Sequence, residues 1–148
     1  MEDQTRIVII DGTHEDYLEL AKETSKRSHC FRSHFGSVIV KDNIIIGIGY
    51  NGPARGVKHC DSCLREKYES GAGYSLCIAV HAEVNAIIHA GGRPRCLGAT
   101  LYLGSHNHPW NGKTRYNQCM GDFPCDNCGR FIIQAGISCV VQEEIGKM

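Results

Sequence analysis

Two short segments constrain this chain more than anything else in it. His81-Ala82-Glu83 and Pro124-Cys125-Asp126-Asn127-Cys128 lie far apart in sequence. Each falls where a helix is predicted to begin, and a strand is predicted between them. Histidine nitrogen and cysteine thiolate are common zinc ligands, and C-x-x-C in a chain with no export signal reads as a ligand pair before it reads as a disulfide. If both segments serve one metal, the fold must bring two helix N-termini together. A lone C-x-x-C usually reads as structural zinc, and a lone Glu in a first helical turn as a partner of the helix dipole. The conjunction is the informative signal.

Cysteine usage supports a metal. The nine cysteines are Cys30, Cys60, Cys63, Cys77, Cys96, Cys119, Cys125, Cys128 and Cys139. An odd number behind an acidic, polar start (Met1-Glu2-Asp3-Gln4) is no disulfide framework and no signal peptide. The expected compartment is the cytoplasm. At 148 residues the chain is long enough for one domain, 1–148, with a real core. Lys+Arg 16 against Asp+Glu 16 gives zero formal charge, which disfavours a strongly basic nucleic-acid binder. No apolar run reaches the length of a membrane span.

Along the chain, Arg6 to Ile10 reads as a short strand. Thr13 can cap a helix running to about Arg27, with acidic residues in its first turn. Phe35–Val40 and Ile44–Tyr50 read as a hairpin around Lys41-Asp42-Asn43. A Gly-rich, Cys-rich loop fills 52–80. His81–Ala90 is a helix stopped by Gly91-Gly92. Thr100–Leu103 is a strand, and 104–123 reads as a long polar loop inserted beside the site. Asp126–Ala135 is a helix and Ile137–Val141 a last strand. This order implies an α/β fold, a mixed sheet with helices on its faces.

The spacing has a chemical logic. Cys125 and Cys128 share one face of a helix start, where the positive end of the helix favours thiolates. His81 supplies a third ligand from another helix start. Three protein ligands leave zinc a fourth position for water, whose pKa such a metal lowers from about 15.7 to about 7. Glu83, two residues beyond His81, would face the same cavity without ligating and could shuttle protons during removal of an amino group from a ring. The paired H-x-E and P-C-x-x-C segments are the pattern of zinc deaminases.

From Tyr17 to Val141 the sequence resembles the deoxycytidylate (dCMP) deaminase family of the zinc-dependent cytidine deaminase superfamily. The stretches that carry the resemblance begin with Lys26-Arg27-Ser28-His29-Cys30-Phe31-Arg32, Gly36-Ser37-Val38-Ile39-Val40 and Gly49-Tyr50-Asn51-Gly52. They continue with Gly56-Val57-Lys58-His59-Cys60, His81-Ala82-Glu83-Val84-Asn85-Ala86-Ile87, the Pro-Cys-x-x-Cys segment and Ile133-Gln134-Ala135-Gly136-Ile137. The resemblance implies a three-layer sandwich with a central mixed sheet and a single deaminase domain. It implies hydrolysis of a cyclic amidine, dCMP to dUMP and ammonia. By matching position, Asn51 would hold the sugar or its phosphate, and Arg27 and Arg32 would contact phosphate, a task suited to the planar guanidinium. The carbonyl of Ala82 would accept a hydrogen bond from the exocyclic amine. Against these stand plainer roles: turn geometry for Asn51 and solvated surface charge for the arginines.

Relatives with a similar Cys pattern carry a second, structural zinc, which would map to Cys30, Cys60, Cys63 and Cys77, with His59 able to replace one of them. Ordinary free thiols are the alternative. The family further implies a homo-oligomer, often a hexamer, with deoxynucleoside triphosphate effectors. The segment 104–123 departs from the family. His106 or His108 in it could read a base or phosphate other than that of dCMP, or belong to an ordinary surface loop. Two other functions therefore stay open: a deaminase of a different aminated ring, and a zinc-stapled, non-catalytic module for single-stranded nucleic acid.

Overall fold

A computed structural model of the chain describes residues 13–31, 33–64, 77–107, 110–117 and 126–145. The predicted strand at Arg6–Ile10 lies outside these residues. Helix α1 runs Thr13–Ser25 and is followed by the hairpin β1 (Gly36–Lys41) and β2 (Ile44–Tyr50). Asp42 and Asn43 turn the hairpin with φ of 52° and 62°. Two consecutive residues of positive φ suit the right-handed twist of the strands, and Asp and Asn tolerate that conformation. The two-residue strands β3 (Gly52–Pro53) and β4 (Ala79–Val80) pair antiparallel and bracket the Cys-rich segment.

Next come α2 (Ala82–Ala90), a helical turn α3 (Arg93–Cys96), β5 (Thr100–Gly104), β6 (Trp110–Asn117), α4 (Asp126–Gln134) and β7 (Cys139–Ile145). Gly91, at φ 101°, ends α2 in the left-handed region that glycine adopts without strain.

The main sheet has the order β2-β1-β5-β7-β6. Among the described residues β5 and β7 pair parallel and the other neighbours in this sheet pair antiparallel. The central strands are buried along almost their whole length, and successive side chains pack on opposite faces. Val38, Val40, Tyr102 and Val141 pack with Leu18 and Ala21 of α1. Ile39, Leu101, Leu103 and Val140 face the other way, onto Ala86 and Ile87 of α2 and Ile132 of α4. Helices thus cover both faces, as the mixed three-layer sandwich requires.

One expectation needs correcting. The segment 104–123 is not all loop: β6 forms the edge of the sheet against β7. Its sequence, Trp-Asn-Gly-Lys-Thr-Arg-Tyr-Asn, has no apolar alternation. An edge strand is held by backbone pairing on one side and needs no such pattern.

The register fixes where the site lies. Gly36 pairs with both Tyr50 and Gly104, so the ends of β2 and β5 lie together. Helix α2 starts at that same end. A Cβ on Gly49 would stand 2.5 Å from the Ala86 nitrogen and 2.7 Å from the Ala82 oxygen, and one on Gly47 2.9 Å from the Ala90 nitrogen. Glycine at these positions lets α2 lie directly on β2, running antiparallel to it.

Candidate active site

His81 is the N-cap of α2, with extended backbone (φ −71°, ψ 156°), and its carbonyl accepts from the Asn85 N–H at 3.0 Å. Glu83 sits in the first turn and is buried, at 5% exposure. Cys128 lies in the first turn of α4 and is buried, at 1% exposure. The two helix starts meet. His81 Nδ1 stands 3.1 Å from Cys128 Sγ, and the ligand atoms of His81, Glu83 and Cys128 all lie within 4.8 Å of one another. Among the described residues this is the one group of three or more metal-ligating side chains that converges.

The donors suit zinc. Tetrahedral zinc with nitrogen and sulfur ligands separates those two atoms by about 3.5 Å. The observed 3.1 Å is close to that edge length. Burial excludes water that would compete for the donors, and each helix start favours negative charge on the thiolate or carboxylate near it. Cys125, the remaining expected ligand, lies outside the described residues.

Asn51 is buried; its Oδ1 accepts from the Phe35 N–H at 2.9 Å and its Nδ2 donates to the Ser33 carbonyl at 2.9 Å. It therefore braces the segment 33–35 with both ends of its side-chain amide. Arg27 is exposed in the turn after α1, its guanidinium carbon 5.7 Å from the centre of the Tyr50 ring. Ala82 is fully buried and its carbonyl faces the Gly49 backbone. Arg32 and His108 lie outside the described residues.

His106 is exposed at the start of the inserted segment, with Nε2 2.8 Å from His34 Nδ1. Partial desolvation, then the neighbouring His34 and Lys26, push its pKa below the ordinary 6.5, against a smaller opposing pull from Glu23. His34 in turn meets the Cys30 carbonyl at 2.8 Å, and its backbone N–H donates to Asn107 Oδ1 at 3.1 Å. Segments 33–35 and 105–107 are thereby laced together at the site end of the sheet.

Cys30, Cys60, Cys63 and Cys77 are each half-buried and do not converge into a second ligand group of the kind formed at His81. The Phe31 and His59 rings do meet edge to face at 5.7 Å, which keeps the Cys30 and Cys60 segments adjacent. The sequence assigned a role to neither His34 nor Asn85. Nothing in the pattern marks His34. Asn85 carries two signals, its place in the His81–Ile87 stretch of the family resemblance and its position one turn after His81.

The sequence profile of the cytidine and deoxycytidylate deaminase zinc-binding region matches residues 11–144. The chain is similar to a deoxycytidylate deaminase of Mycobacterium phage D29, at 37% identity over 86% of this chain and 91% of the relative. It is also similar to the deoxycytidylate deaminase of Schizosaccharomyces pombe, at 34% identity over 84% of this chain but only 35% of that longer protein. In structure it resembles the dCMP deaminase of cyanophage S-TIM5. The apo form gives a TM-score of 0.58 at 26% identity, over 86% of this chain and 79% of that one. The complex with dCMP and dUMP gives 0.57 at 25% identity, over 86% and 77%.

Proposed function

The chain belongs to the cytidine and deoxycytidylate deaminase zinc-binding family, and from that premise we propose that it hydrolyses dCMP to dUMP and ammonia with one catalytic zinc. The observation that carries the proposal is the convergence of His81, Glu83 and Cys128 at two helix starts. His81 and Cys128, with Cys125, hold the metal. When bound, zinc supplies the acidity that makes water a nucleophile near neutral pH. Glu83 accepts the proton of the attacking water and delivers it to the ring nitrogen. It then carries a proton to the departing amine, so that water and dCMP leave as dUMP and ammonia.

On the substrate side we assign Asn51 and Ala82 to the sugar and base. Arg27, Arg32, His106 and His108 are assigned to the phosphate and the rim. The exposed Arg27 beside Tyr50 supports a phosphate contact at the site end of β2. We extend the proposal to a single deaminase domain over 1–148 and to a second zinc on the segments of Cys30, Cys60, Cys63 and Cys77. It also includes a cytoplasmic homo-oligomer, a hexamer, that responds to deoxynucleoside triphosphates. Exposed Ile44 and Ile45 on the edge strand and Ile88 on α2, at 63%, 45% and 67%, support a partner copy that covers them.

The direct test is product analysis. Zinc-loaded protein incubated with dCMP is expected to yield dUMP and ammonia in equal amounts, and chelator-stripped protein to yield neither. Equal turnover with and without zinc would sink the proposal.

A further inference from the structure

Asn85 is half-buried on α2, one turn beyond His81. Its side-chain Nδ2 donates to the Tyr50 carbonyl at 2.9 Å and reaches the Val80 carbonyl at 3.4 Å. Carbonyls only accept, so two of them around one atom identify that atom as the amide nitrogen. Each carbonyl belongs to the residue just before a site residue. Val80 precedes His81, and Tyr50 precedes Asn51. Approach to β2 is open because Gly49 has no side chain; a Cβ there would lie 2.8 Å from the Asn85 Cβ.

The β3–β4 ladder, with Gly52 opposite Val80, spans the same gap one step further on. Asn85 therefore ties the metal-side backbone to the substrate-side backbone from a rigid helix. We propose that Asn85 is a positioning residue, setting the bearing of His81 toward the metal and of Asn51 toward the substrate through these two carbonyls. Its substrate half rests on the deaminase function proposed above; its metal half does not. An aspartate here would be nearly the same size but would aim a carboxylate at two carbonyl oxygens, turning two attractions into repulsions. Partners that orient a metal ligand typically change metal affinity by about 10–100-fold when removed.

The test uses the full, zinc-loaded chain and compares Asn85→Asp with the wild type. Zinc release to an excess of chromogenic chelator is expected to be about tenfold faster or more. The KM for dCMP is expected to rise, with the zinc-loaded variant still folded at the assay temperature by far-UV circular dichroism. Zinc release within twofold of the wild type would overturn the metal half. An unchanged KM would overturn the Tyr50–Asn51 half. If Asn85→Asp does not fold, Asn85→Ser decides both halves by the same readings. A wild type inactive on dCMP would reject the proposed substrate while the zinc-release comparison still judged Asn85.

Discussion

A carboxylate two residues past a zinc-ligating histidine can bind the metal or move protons. Glu83 is buried within reach of both His81 and Cys128, so the two roles must be separated by substitution. Glu83→Gln keeps the shape and removes the proton acceptor. It is expected to retain zinc by metal analysis and to lose roughly 10²–10⁴-fold in ammonia release, the range for a general acid-base group. Retained activity would remove Glu83 from that role. Cys128→Ala deletes the buried thiol proposed as a metal ligand and is expected to lose the metal itself. His106 makes a different prediction. Its pKa is held below 6.5, so the folded state disfavours its charged form. Between that lowered value and 6.5 the unfolded chain binds more protons at this position. The linked stability is therefore present above about pH 6.5 and is lost as pH falls through the lowered value. An imidazole titration followed by NMR is expected to place His106 below 6.5; a midpoint at or above 6.5 would contradict the arrangement.

At the scale of elements, the packing of α2 on β2 carries the site, because it sets His81, Glu83 and Asn85 against the end of the hairpin. Gly49→Val would drive a branched side chain into the α2 backbone. Overpacking of this kind typically costs about 1–3 kcal/mol. Denaturant unfolding of the zinc-loaded protein is expected to show the loss together with faster zinc release. Unchanged stability would mean that the helix is free to move off the strand. Much of this layer was legible in sequence. The hairpin followed from two β-branched runs around Asp42-Asn43, α2 from His81 to its Gly91-Gly92 stop, and the meeting of helix starts from the ligand types. Strand β6 was not legible, because an edge strand made of polar residues leaves no periodic trace. The Asn85 clamp was not legible either, since nothing local says which carbonyls the fold will bring to a helical amide. The same holds for the His34–His106 pair, whose members lie 72 residues apart in the sequence.

For the molecule as a whole, stability and metal binding are linked. The sheet is covered on both faces, and Leu101 is fully buried between β1 and β7. Leu101→Ala is expected to cost about 2–5 kcal/mol. Zinc bound only by the folded state raises stability by mass action, so chelation should lower the thermal midpoint of the wild type. Metal analysis of the purified chain is expected to give two zinc ions per chain; a value of one would remove the second site at the Cys-rich segments. Chemistry and substrate choice meet in one measurement. It is the initial rate of ammonia release by the zinc-loaded protein on dCMP, beside CMP, deoxycytidine, cytidine, dCTP and the adenine and guanine nucleotides. The expected result is a kcat/KM for dCMP above that of every other compound. A higher value for another ring would assign substrate choice to the segment 104–123, and silence on all of them with salt-sensitive binding of single-stranded DNA or RNA would contradict the enzyme itself.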